Sequence, residues 1–145
     1  MTPERRHLVT KTWRRLAEQG PEFGVTFYRR LFEIDPDLRR LFASTVSDDQ
    51  ARKLTSMLEL TVHWLDAPER LVPALKQLGE RHAAYGVVDE HYTDFGSALI
   101  GTLEERLGDD FTPEARCAWT EAYALISALM RRGAMKASGE WVLRR

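Results

Sequence analysis

Cysteine occurs once in the chain, at Cys117, so neither an intrachain disulfide nor a multi-cysteine zinc site can form. Long apolar runs are missing as well: no stretch approaches the ~20 residues needed to span a bilayer. The first ten residues carry charges rather than the apolar centre of a secretory signal, so a cytoplasmic location is expected. Neither sign of charge is in excess. With 21 Lys and Arg against 22 Asp and Glu the net charge is −1, which gives no electrostatic pull toward nucleic acid or an anionic membrane. No period-two alternation marks a strand, and there is no internal repeat or low-complexity tract. The Arg-Arg pairs, such as Arg14-Arg15, Arg29-Arg30 and Arg131-Arg132, are scattered and read as solvated helix faces.

What is present is helical periodicity throughout. A chain of 145 residues, 43% apolar and 30% charged, suits one soluble domain over 1–145, with 137–145 as a possible C-terminal tail, either a frayed helix or a packed extension. Thr2-Pro3-Glu4 supplies a helix cap, a first-turn proline and an acid at the helix start, and Val9, Trp13 and Leu16 form the buried stripe that follows. Gly20-Pro21 ends that helix. The second carries Phe23, Phe27 and Leu31 on one side and Gly24 and Tyr28, one turn apart, on another. A glycine inside a helix costs about 1 kcal/mol relative to alanine, which a close helix crossing would offset. Asp35-Pro36 starts a short third helix ending near Phe42, and residues 43–48 read as a loop. A long helix then presents Gln50, Leu54, Met57, Leu58, Thr61 and Leu65 inward, and Pro68 opens the next. Asp89 is placed to cap a helix with Tyr92, Phe95, Leu99 and Leu103 inside. Gly108 and Thr112-Pro113-Glu114 separate it from a last helix burying Ala118, Trp119, Ala122, Ile126 and Leu129.

One residue stands out against this pattern. Leu71, Leu75, Leu78 and His82 are spaced 4, 3 and 4 apart, so an imidazole closes an apolar helix face just before a stop at Gly86. Taken alone, His82 fits a core histidine bonded to a carbonyl better than it fits a metal or cofactor ligand.

The segment FYRRLFEIDPDLRRLF, residues 27–42, together with GERHAAYGVVDEHY, residues 79–92, and AWTEAYALI, residues 118–126, resembles the bacterial haemoglobins and the globin domain of flavohaemoglobins over nearly the whole chain. The resemblance implies an all-α globin fold around haem b, iron protoporphyrin IX, with His82 as the iron's proximal ligand. It also implies a close crossing at Gly24. Phe42 would lie against the porphyrin, and Leu54, Leu75, Leu78, Val87, Phe95 and Leu99 would complete the slot, although each is equally good as ordinary core. On the other side of the iron the resemblance points to Tyr28 and Gln50 as hydrogen-bond donors to dioxygen. Buried-aromatic and solvated-glutamine readings of the two remain open. His7, His63 and His91 read as surface or edge residues. In flavohaemoglobin-like globins a tyrosine and a glutamate make the proximal histidine more anionic. Tyr92 matches the tyrosine, but Ala134 stands where the glutamate would fall, and Glu140 lies six residues further.

The function implied is reversible binding of dioxygen or another diatomic gas. The rival is a nitric oxide dioxygenase, which would need an external reductase because no flavin or nicotinamide segment is evident in the chain. A gas sensor is the third reading.

Overall fold

The computed structural model describes residues 1–42 and 47–143, with side chains as far as Met135. Six α-helices follow in order: α1 (Pro3–Ala17), α2 (Glu22–Ile34), α3 (Asp48–His63), α4 (Pro68–Ala84), α5 (His91–Leu107) and α6 (Pro113–Leu143). Two 3-10 turns, Pro36–Leu41 and Gly108–Asp110, join α2 to α3 and α5 to α6. No strand occurs among the described residues, and none of the described helices is long and apolar enough to cross a membrane.

The local signals act where the sequence places them. The Thr2 hydroxyl accepts from the Arg5 amide, the Ser47 hydroxyl from Gln50 and the Thr112 hydroxyl from Ala115, each satisfying an otherwise orphaned helix-start N–H. Two boundaries differ from expectation. Asp48 belongs to α3 rather than to the preceding loop, because Ser47 caps the helix. Leu65 lies past the end of α3. The rest of the expected loop, residues 43–46, lies outside the described residues. So do the side chains of the tail, although the backbone of α6 stays helical through Leu143.

The core is a cross of α1, α2, α5 and α6. Trp13 and Trp119 are almost fully buried beside Val9, Leu16, Phe23, Leu31 and Leu103. The Trp13 and Phe23 rings meet edge to face at 5.3 Å, a favoured aromatic geometry. The Trp119 indole N–H donates to Thr12 Oγ1 at 2.8 Å, and the Thr12 hydroxyl donates to the Leu8 carbonyl at 2.7 Å, so this buried polar pair is satisfied. Not every arginine pair is merely solvated: Arg29 and Arg30 both donate to Glu105 and tie α2 to α5. These groups are well exposed, and such surface pairs contribute little.

Helix α2 is the hub. It packs on both α3 and α5, while α4 packs on α6; α3 and α4 face each other with no more than a marginal contact. The approach of α2 to α3 is close because of Gly24. A Cβ there would lie 2.5 Å from the Ala51 carbonyl oxygen, well inside contact distance. We therefore expect Gly24→Ala to force the helices apart and to lower stability by about 1–3 kcal/mol. The neighbouring Val25, 53% exposed, should tolerate alanine within about 0.5 kcal/mol. Denaturant midpoints of the two variants make the comparison.

Candidate functional site

The end of α4 fixes both the position and the chemistry of His82. Its Nδ1 lies 2.9 Å from the Leu78 carbonyl oxygen, one turn back. A carbonyl can only accept, so Nδ1 carries the proton and donates, and the lone pair is left on Nε2. Burial holds the imidazole below the usual histidine range, with the Leu78 carbonyl opposing the shift, so the ring is neutral at neutral pH. A neutral imidazole with a free Nε2 lone pair is the form that binds a metal. The helix then stops abruptly. The Gly86 amide donates to the Ala83 carbonyl and the Val87 amide to the His82 carbonyl, at 3.1 and 3.0 Å. This is the Schellman arrangement, and it requires the left-handed conformation that Gly86 adopts at φ 101°. It also fixes Val87 beside the His82 backbone.

Tyr28 and Gln50 are brought together as a pair. Tyr28, 8% exposed, stands one turn after the Gly24 crossing, and Gln50 adjoins Ala51 on the other side of it. Gln50 Nε2 donates to Tyr28 Oη at 3.2 Å. One amide N–H is engaged on the phenol oxygen, and the phenol proton and the second amide N–H are left for other acceptors. Phe42 packs edge-on against Tyr28 at 5.3 Å and against Phe32 at 5.4 Å, so the residue after the 3-10 turn walls this side.

The apolar candidates sort into two clusters. Tyr28, Phe42, Leu54 and Leu99 belong to the cluster on α2, α3 and α5; Leu75, Leu78, Val87 and Tyr92 belong to the one on α4 and α5; Phe95 packs against both. Phe42, Leu54, Leu78, Val87 and Phe95 are only half-buried. Large apolar side chains held partly open on either side of a gap between two unpacked helices make a slot that an apolar plate would fill. A cavity of about 190 Å³ extends the same gap, lined by Met57, Leu60, Thr61, Trp64, Leu75 and Leu78. A larger groove of about 640 Å³, between α1 and the α3–α4 corner, contains none of the candidate residues. The donor set therefore fits a haem: one imidazole nitrogen available from α4, flanking apolar walls, and a phenol on the α2 side.

Comparison with known proteins bears on the family. The globin family model matches residues 25–130. The chain belongs to the globin family. It is 33% identical to an anaerobic nitrite reductase of Gossypium hirsutum, covering 90% of this chain and 88% of that protein. It is 30% identical to neuroglobin-1 of Oncorhynchus mykiss, covering 92% of each. It is also 33% identical to a flavohemoprotein of Xylella fastidiosa over 93% of this chain, but it spans only 36% of that protein's length. A hexacoordinated heme protein from a tardigrade superimposes with a TM-score of 0.85 at 19% identity, covering 93% of this chain and 96% of the other, which speaks to the fold.

Behind His82 this globin departs from what its sequence suggests. His91 is buried rather than at the surface. Its Nδ1 accepts from the Val88 amide at 3.0 Å, closing the α4–α5 turn, while the expected Asp89 cap does not form and no side chain caps α5. Asp89 instead pairs with Arg131 Nε at 3.2 Å. The Arg131 guanidinium sits over the Tyr92 ring, 5.3 Å from its centroid. The Tyr92 hydroxyl is buried without a partner among the described residues, while the Tyr123 hydroxyl donates to the Tyr92 carbonyl. Ala134 supplies no carboxylate, and the side chain of Glu140 lies outside the described residues. Sequence reasoning missed Arg131, which its pairing with Arg132 marked only as a solvated residue.

Burial raises the pKa of Tyr28, Tyr92 and Tyr123 above the ordinary tyrosine range. The Gln50 hydrogen bond opposes this at Tyr28, and the Arg131 charge opposes it at the other two. Above pH ~10 the unfolded chain releases tyrosine protons that the folded chain keeps. Stability is therefore held below that pH and lost as pH rises through the folded values. We expect denaturant midpoints to fall steeply above pH ~10 and Tyr28→Phe to lessen the slope. An unchanged slope would show that Tyr28 is not among the groups responsible.

Proposed function

We propose that this globin holds haem b through His82 and binds dioxygen reversibly, with Tyr28 as the donor to the bound gas and Gln50 as the residue that orients it. The observation that carries the reading is the pair of engaged partners. Leu78 occupies His82 Nδ1 and Gln50 occupies the Tyr28 oxygen, so one lone pair and one proton are left over. Haem, when bound, would supply an iron able to take an imidazole nitrogen and a diatomic gas. His82 presents a neutral ring whose orientation the Leu78 carbonyl fixes and whose basicity it raises. Phe42, Leu54, Leu75, Leu78, Val87, Tyr92, Phe95 and Leu99 supply apolar area and exclude water. Tyr28 keeps its proton, because burial disfavours the phenolate, and so remains a donor at neutral pH.

A hydrogen bond to a partly negative ligand contributes about 1.5–3 kcal/mol, which corresponds to roughly tenfold to a hundredfold slower release. Tyr28→Phe preserves ring volume and removes only the oxygen. It should speed dioxygen release by about that factor while changing association little. Gln50→Leu should act in the same direction and less strongly, because it leaves the donor in place. Stopped-flow and flash-photolysis rates measure both. An off-rate for Tyr28→Phe within about twofold of the parent would remove Tyr28 from the role.

His82→Ala should abolish stoichiometric haem retention and the axial-imidazole spectrum. Retention with an unchanged spectrum would assign the iron to another residue.

A second reading is favoured by the relatives named for nitrite reduction and by the flavohemoproteins, of which this chain spans about a third. In that reading the same pocket combines nitric oxide with dioxygen to give nitrate, or reduces nitrite with two protons and one electron to nitric oxide and water, the electrons coming from a separate reductase. Reductase-dependent nitrate from nitric oxide in air, or nitric oxide from nitrite without air, set against simple oxygen release, discriminates the readings.

A further inference from the structure

Helix α4 makes its one close backbone approach, among the described residues, to α6; with α5 it shares only the side-chain cluster of Leu71 and Leu75 with Tyr92 and Phe95. The place of His82 in the slot therefore depends chiefly on the α4–α6 interface. That interface contains two glycines facing backbone. A Cβ on Gly79 would lie 1.9 Å from the Met130 carbonyl oxygen, and a Cβ on Gly133 would lie 1.9 Å from the Lys76 carbonyl oxygen. The relation is reciprocal, since Lys76 and Met130 each lie three residues before a glycine on their own helix. The two backbones meet directly, with no side chain between them.

Glycine is a poorer helix former than alanine, and both helices use alanine freely elsewhere, at Ala74, Ala83 and Ala84 on α4 and at Ala118, Ala122, Ala124 and Ala128 on α6. Glycine at these two points answers the crossing rather than the helix. Ordinary contact begins at 3.4 Å, so either methyl would push the helices apart by about 1.5 Å, 3.4 less 1.9. His82 is the residue one turn beyond Gly79, on the free end of α4. Interiors are packed too densely to absorb such a shift locally.

We propose that Gly79 and Gly133 are positioning residues that set how far His82 reaches into the slot, through direct backbone contact between α4 and α6. The proposal rests on the reading of His82 as the haem ligand. Moving α4 outward on its main support changes the reach of the His82 nitrogen without touching the pocket walls on α2 and α3.

The test uses the haem-loaded full chain and compares Gly133→Ala with Val9→Ala. The latter removes volume from the distant α1 core, where the parent residue is fully buried. Thermal unfolding places the two variants on a common stability scale. Haem loss to an excess of scavenger and the iron–histidine stretching frequency are the readouts that a merely structural role would not move. Gly133→Ala is expected to lose haem about tenfold faster or more and to shift the stretching band, with Val9→Ala at parental values for both. Leu129→Phe is the milder wedge should Gly133→Ala not accumulate, because Leu129 packs with Leu71 and Leu75 in the α4–α6 cluster. It is expected to shift the same band less far. An unchanged band and a haem-loss rate within twofold in the α6 variant, or equal shifts in Val9→Ala, would overturn the proposal. Failure of the haem reading is seen separately, as a parent protein with no axial-histidine band, and would overturn both.

Discussion

Everything near the slot depends on how closely helix backbones approach one another. Gly24 lets α2 reach the backbone of α3 at Ala51, and Gly79 and Gly133 let α4 and α6 meet carbonyl to Cα. Each crossing pins one wall of the gap to a different part of the core. Because α3 and α4 hardly touch, the width of the gap is the difference between two fixed positions rather than the result of direct packing. Two unpacked helices lined with Leu54, Leu78 and Phe95 would close on one another if their supports allowed it, since burial of apolar area favours collapse. The glycines hold the supports at a fixed spacing. A small change of volume at either crossing is thus felt across the slot, where no side chain at the crossing makes contact.

His82 and Tyr28 follow a second rule: each has one partner that leaves one function over. Leu78 takes the Nδ1 proton of His82 and leaves the Nε2 lone pair. Gln50 fills the oxygen of Tyr28 and leaves the proton. Both arrangements are made within or between helices before any ligand arrives, so their ordering entropy is already met on folding. That is preorganisation on a small scale.

The helices and their buried faces were legible because 3.6-residue periodicity and cap residues are local signals, and His82 stood out as a polar group at an apolar register. The family and Tyr28 came instead from the resemblance carried by three segments. What was not legible required a partner from elsewhere in the chain. His91, within Asp89-Glu90-His91, reads as polar surface, and only the turn that brings the Val88 amide onto its ring shows why it is buried. Gln50 gave no hint that its amide would be engaged by Tyr28, 22 residues away. Gly79 and Gly133 drew no notice in the sequence, because a sequence does not show that each faces the other's helix. Arg131 was indistinguishable from Arg132 until α6 placed it over Tyr92.

That last placement bears on which chemistry the proposed site favours. A carboxylate near the proximal side would draw the Nδ1 proton and make the imidazole a stronger electron donor; a carbonyl accepts the proton without adding charge. Here Nδ1 faces the Leu78 carbonyl, and the residue beside Tyr92 is a guanidinium. The cation is itself paired with Asp89, so its field is partly cancelled and that carboxylate is engaged. The buried Tyr92 hydroxyl, without a partner among the described residues, transmits no negative charge toward α4. The Leu78 carbonyl raises the basicity of His82 without adding charge, and the Tyr28 proton is held beside Gln50. In the proposed reading a neutral imidazole on one side and a hydrogen-bond donor on the other would hold a bound gas, which is the support this geometry lends to reversible binding.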